Sequence, residues 1–261
     1  MIFHYLKIAF RNLCKYKTQN VISIIGLAVG LLCFCVCIYC SRFVESTDHC
    51  FANHDRIAEL NLYDGKADRY FSGSPVPLAE DLRTWALGET EAISSVTYPR
   101  ERPYYVELSP EKTLPYELET IEIDTCYNKI FTPEMVAGHW KMASQSLNSV
   151  ILSQSMAIKI FGNAESAIGK HMTLMRRLNT SPESTPKTGG IVYTIQAVMK
   201  DISLNNSLDF MQNIDMLTVN DSEGLLQSPK RHNMTGANTY VLLSPQTTCT
   251  DLEKQFSKRD Y

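Results

Sequence analysis

Residues 21–40 read VISIIGLAVGLLCFCVCIYC, a run without a single charge in which eleven positions are Val, Ile, Leu or Phe. A helix rises about 1.5 Å per residue, so the run matches the roughly 30 Å hydrocarbon core of a bilayer. At about −0.5 kcal/mol each, the large apolar side chains favour insertion by roughly 5 kcal/mol, and no charge opposes it. The run predicts a transmembrane helix over 21–41. It divides the 261-residue chain into a basic stub, 1–20, and one large domain, 46–261. A signal peptide fits less well, because its apolar core is about 7–15 residues and ends in small residues at a cleavage site. Here the run leaves through Tyr39, Cys40, Ser41 and Arg42, and Leu31 and Leu32 stand where a lipoprotein box before Cys33 needs small residues.

Charge sets the orientation. Lys7, Arg11, Lys15 and Lys17 precede the span, whereas Arg42 and Arg56 beyond it are diluted by Glu45, Asp48, Asp55 and Glu59. The positive-inside rule therefore places the N-terminus in the cytoplasm and the main domain outside, which in a two-membrane cell is the periplasmic side of the inner membrane. Phe3, Leu6, Phe10 and Leu13 recur at helical spacing, with Lys7, Arg11 and Lys15 on the other face. The stub thus reads as a basic amphipathic helix in the lipid headgroup layer, or as ordinary topogenic charge. Within the span Ser23, Gly26 and Gly30 share one side, and small residues at this spacing let a second helix approach closely.

The net charge of −3 and the lack of a long basic stretch give no electrostatic footprint for nucleic acid. Of eight cysteines, Cys33, Cys35, Cys37 and Cys40 lie in the span and Cys14 before it, as small apolar fillers. Cys50, Cys126 and Cys249 remain for the exterior domain, which allows one disulfide at most and no disulfide framework.

Alternation and β-branched or aromatic content predict strands near 56–63, 93–98, 103–108, 117–123, 149–153, 191–199, 212–219 and 238–243. Helical spacing marks 77–87, 154–161 (closed by Gly162) and 248–258. Residues 178–190, LNTSPESTPKTGG, read as an exposed loop between two strands. Strands with helices set between them predict an α+β domain, with room for two subdomains.

Three patterns bear on chemistry. Asp48, His49, Cys50, His54 and Asp55 crowd together just after the span, and His, Cys and carboxylates are ligand types for zinc or copper. Their spacing matches no closed site, and a polar juxtamembrane turn explains them equally. SPEK (Ser109 to Lys112), SLN (Ser146 to Asn148) and KTG (Lys187, Thr188, Gly189) follow the order used by penicillin-recognising serine enzymes. In that chemistry the serine must open a helix, and Pro110 and Pro115 bracket this one in extended sequence. No G-x-x-x-x-G-K-[ST] occurs, so the chain carries no P-loop, and neither a cofactor nor a catalytic residue is assigned.

The stub HYLKIAFRNLCKYKTQNVISIIGLAVGL resembles the start of FtsX-like permease subunits of ABC transporters, the MacB group in particular. DHCFANHDRI resembles the first segment of that family's exterior domain. Asp48, Asn53, Asp55, Arg56 and Ile57 fit, while Thr47 and Cys50 stand where aromatics are usual. CYNKIFTPEMVAGHW, SVILSQSMAIKIFGNAESAIGKHM, VYTIQAVMKDISLNNSLDF and TYVLLSP are similar to later segments, in order. The resemblance implies a MacB-like periplasmic core over 46–261 that binds or transmits without bond-making chemistry. It implies as partners a separate cytoplasmic ABC ATPase, a second permease protomer, and an envelope protein or exported substrate. Members of the family carry three further spanning helices after the exterior domain, and this sequence stops at KQFSKRDY. That departure implies a truncated permease, or alternatively a freestanding single-pass sensor or binding protein.

Overall fold

The computed structural model describes residues 4, 5, 7, 11, 15–71, 73–85, 88–109, 112–174, 190–208, 213–219 and 235–256. The chain forms two units, Met1–Thr47 and Asp48–Tyr261.

The first unit is dominated by α1, Lys17–Glu45, 29 residues long. It extends the predicted span by about one turn at each end and covers about 43 Å at 1.5 Å per residue. Among the described residues none of its side chains is buried. It is the one helix among the described residues long and apolar enough to cross a membrane.

The second unit holds strands β1 (Ile57–Leu60), β2 (Leu62–Asp64), β3 (Arg69–Phe71), β4 (Ser74–Pro75), β5 (Thr90–Thr97), β6 (Arg100–Ser109), β7 (Lys112–Ile123), β8 (Met135–Gly138), β9 (Ser149–Ser153), β10 (His171–Leu174), β11 (Val192–Met199), β12 (Met216–Val219) and β13 (Thr235–Leu243). Its helices are α2 (Leu78–Thr84), α3 (Tyr127–Phe131), α4 (Trp140–Gln145), α5 (Gln154–Phe161) and α6 (Cys249–Phe256). Apart from the β2–β3 hairpin, all the strands belong to one sheet, so the room left for two subdomains resolves into one continuous unit.

Six strands close on themselves. β6 pairs with β7, β7 with β12, β12 with β9, β9 with β11, β11 with β10, and β10 with β6. Closure removes open edges from these strands. Alternate residues from all six meet in one cluster that includes Tyr104, Leu118, Val150, Met172, Tyr193 and Met216. The pleat sends the intervening residues outward, where Ile121, Ile151, Ala197 and Leu217 join β5, β13, α3 and α4 in a second core. A third core lies where α2 and α6 cover β1, β5 and β13.

The centre of this architecture follows from local sequence. β9 is buried along its whole length, which demands an unbroken apolar run, and VIL supplies it. Ser153 then caps α5 by accepting from the Met156 N–H, and Gly162 ends it at φ +86°, in the left-handed region glycine enters without strain. Asp124 organises the helix layer by accepting from Ser94 Oγ (2.6 Å), the Ser95 N–H (3.1 Å), the Cys126 N–H (3.0 Å) and Arg83.

Candidate functional site

The segment that leads from the membrane helix into the domain, Asp48 to Ile57, is fastened at several points. Asp48 adopts φ +65°, and its Oδ1 accepts from the Ser207 N–H at 2.7 Å while its own N–H donates to the Asn205 carbonyl at 3.1 Å. Phe51 is buried edge-on against Phe131, with ring centroids 4.9 Å apart. Asn53 donates to the carbonyls of Lys129 and Ile130 in α3, both at 3.2 Å. Arg56 reaches the carbonyl of Leu243, the last residue of β13, at 2.9 Å, and pairs with Glu91 at 2.9 Å and Asn53 at 3.3 Å. The first residues of the domain are thereby locked to α3, to the 205–207 turn and to the end of the last strand. Asp48, Asn53 and Arg56, matched through the resemblance, are the anchors; Asp55 is exposed and lies 3.2 Å from His54.

Electrostatics at this junction are those of a partly desolvated acidic corner. Burial raises the Glu59 carboxyl above the ordinary glutamate range, and the nearby Asp48 charge raises it further. Burial, then Asp48, likewise pushes the Cys50 thiol up. Burial holds the Tyr127 and Tyr240 phenols far above their usual value, so both are neutral core groups.

Asp48 is used on the Ser207 backbone amide, the His49 and His54 rings lie 4.3 Å apart with their planes tilted by 50°, and His54 Nδ1 contacts the Phe51 carbonyl at 3.1 Å. Among the described residues no group of three metal-ligating side chains comes together. Ser109 ends β6 opposite Lys112 at the tip of the β6–β7 hairpin instead of opening a helix. Ser146 and Asn148 lie in the turn before β9, and Lys187, Thr188 and Gly189 fall outside the described residues. Cys50, Cys126 and Cys249 are free thiols.

In the first unit Ser23, Gly26 and Gly30 lie on one side of α1, and a methyl group added at either glycine would meet nothing within 4 Å. Their 3-4 spacing continues through Cys33, Cys37 and Cys40, a heptad interval that drifts only about 20° per repeat on a straight helix. Cys35 is off this seam. Lys7, Arg11, Lys15 and Lys17 are helical and exposed; Phe3, Leu6, Phe10 and Leu13 lie outside the described residues.

The fold of the second unit, a mixed α+β domain, is one already seen in solved domains. A domain of a protein named as a permease from Porphyromonas gingivalis is 21% identical, with a TM-score of 0.58 over 80% of this chain and 87% of that one. The periplasmic region of MacB from Actinobacillus actinomycetemcomitans is 16% identical (TM-score 0.47, 77% and 79% covered). The extracellular domain of the ABC-type transporter YknZ from Gram-positive bacteria is 12% identical (TM-score 0.44, 76% and 87% covered). No family model and no curated protein matches the sequence.

Proposed function

We propose that this chain is a membrane-anchored permease-type subunit whose exterior domain transmits movement of the spanning helix to a substrate or partner outside the membrane. The observation that carries the reading is the fastened junction. A segment tied by Asp48, Asn53 and Arg56 to α3 and to the end of β13 passes a displacement of its first residues into the sheet with little slack. Lys7, Arg11, Lys15 and Lys17 hold the N-terminus in the cytoplasm, and the basic stub rests on lipid. A cytoplasmic ATPase supplies the energy, the partner that the sequence's resemblance implies. A second protomer packs on the Ser23, Gly26 and Gly30 face of α1.

The test is purification of the full chain from its own host membranes in mild detergent, followed by assay of Mg-ATP hydrolysis in the purified material. Co-purifying hydrolysis that disappears when Lys7, Arg11 and Lys15 are replaced by Gln supports the reading. A chain that purifies intact without any nucleotidase is instead a freestanding single-pass binding protein.

A further inference from the structure

Among the described residues the third core is not fully covered. Where α2 and α6 meet the chain leaving β1, a cleft of about 180 Å³ is lined by Leu60, Leu62, Leu78, Leu82, Trp85 and Phe256. A cavity of about 150 Å³ holds benzene, so this one admits a phenyl ring or a branched aliphatic side chain. Among the described residues β1 is the outermost strand of the sheet, with β13 on one side and no strand on the other, the arrangement that can take an added strand. Just beyond, Tyr63 and Tyr70 pair at 5.1 Å on the β2–β3 hairpin while 55% and 74% exposed. The helices that frame the cleft are acidic. α2 carries Glu80 and Asp81, with Arg83 engaged by Asp124; α6 carries Asp251 and Glu253, with Lys254 3.7 Å from Asp251.

We infer that this cleft docks an extended segment of a partner protein, laid along the β1 edge with one large apolar side chain in the cleft and a Lys or Arg beside it. The open strand edge selects an extended polypeptide, because a lipid chain cannot use its backbone groups. The acidic frame selects a basic flank and repels anionic lipid. It also disfavours a second copy, since a two-fold contact would set the same acidic face against itself. The inference deepens the proposed function and rests on it only for where the partner is met. That placement is tested separately by labelling exposed Cys249 with a membrane-impermeant thiol reagent on intact cells.

The experiment uses the full chain in phosphatidylcholine nanodiscs with Trp140→Phe, which leaves Trp85 as the sole tryptophan. The probes are the blocked peptide Lys-Val-Phe-Val-Lys and its Glu-Val-Phe-Val-Glu counterpart. The basic peptide should change Trp85 emission saturably and bind about tenfold more tightly than the acidic one at low salt. Glu80→Lys combined with Glu253→Lys, both exposed positions, should reverse the preference. N-methylation of the probe's backbone should abolish binding. Calorimetry on the unaltered chain gives the same answer should Trp140→Phe fail to fold. The inference is overturned by no saturable binding, by equal binding of both peptides, by a response to laurate in place of peptide, or by a Trp85 signal that tracks protein concentration alone.

Discussion

Arg56 Nη1 donates to the carbonyl of Leu243 at 2.9 Å, joining residues 187 apart in sequence. The contact ties the start of the first strand to the end of the last. Leu243 is buried and its contact with Arg56 is partly so, so truncating the arginine removes the carbonyl's charged donor in a half-desolvated place. The Glu91 pair adds little, because both side chains are about a third exposed or more and a surface pair is screened. Arg56→Ala should therefore cost about 1–2 kcal/mol, a Tm drop of about 2–8 °C for a domain of this size. Glu91→Ala should cost less than half as much. Equal losses in the two variants, read by calorimetry, would show that the ion pair and not the carbonyl contact matters.

Gly138 and Gly162 both sit at positive φ, +70° and +86°, but in different surroundings. A methyl group at Gly138 would lie 2.3 Å from the Gln196 carbonyl oxygen and 2.8 Å from the Ala197 Cα, because β8 pairs there with β11. At Gly162 it would meet nothing within 4 Å. Gly162→Ala pays only the backbone strain of about 1–2 kcal/mol. Gly138→Ala adds displacement of a central strand and should exceed it clearly, which urea midpoints will rank. Matching midpoints would mean that β8 gives way freely.

The contrast between legible and hidden elements has a physical cause. The strand 149–153 and helix 154–161 emerge with the bounds that the sequence predicts, because an unbroken apolar run, a serine cap and a terminal glycine are all local signals. The strand predicted over 212–219 begins only at Met216, and the helix predicted over 77–87 ends at Thr84. β8, β10, α3 and α4 are four to six residues long, too short for a period, and exist because of distant partners such as β11. The six-strand closure rests on pairings between segments up to about a hundred residues apart, which alternation cannot reveal. At the junction, Asp48 reads as a possible ligand or turn residue and Asn53 is matched only through the resemblance; their contacts are to backbone amides and carbonyls at 205–207 and 129–130. The loop 178–189 lies outside the described residues.

Tyr127 is fully buried, stacked on Phe131 at 4.7 Å and Trp140 at 6.2 Å, and its hydroxyl has no hydrogen-bond partner among the described residues. Desolvating a hydroxyl without a partner costs about 1–3 kcal/mol. Tyr127→Phe keeps the ring and removes that cost, so it should be neutral or raise stability by up to about 1 kcal/mol. A loss above 1 kcal/mol would reveal a bond that the geometry does not show.

Glu59 gives the domain a pH dependence of definite sign. Its folded pKa is raised, first by burial and then by Asp48, so between the unfolded and folded values the native state binds more protons than the unfolded state. Stability should therefore fall as pH rises from the ordinary glutamate range through the raised folded value, and then level off. Asp215, also raised by burial, acts in the same direction. Asp251 is lowered by its Thr248 hydrogen bonds and acts oppositely, but only in more acidic solution. Glu59→Gln should flatten the slope and raise stability near pH 7. Urea titrations at pH 4.5 and 7.0 on both proteins decide it, and an unchanged slope in Glu59→Gln would assign the effect to other carboxylates.

The seam on α1 makes a prediction that the filler reading of its cysteines does not. Ser23, Gly26, Gly30, Cys33, Cys37 and Cys40 recur at intervals of three and four, the pattern of two helices packed in a left-handed crossing. If a second protomer packs on this face, Cys37 faces Cys37 of the other copy, whereas Cys35 points into lipid. Variants that keep one thiol each, oxidised in native membranes with copper phenanthroline, should give a disulfide dimer through Cys37 and little through Cys35. Adding Gly26→Leu and Gly30→Leu should suppress the Cys37 dimer severalfold, because two isobutyl groups hold the backbones apart. Equal crosslinking through Cys35 and Cys37, or crosslinking indifferent to the two leucines, would mean random collision in the bilayer and would remove the seam as an interface.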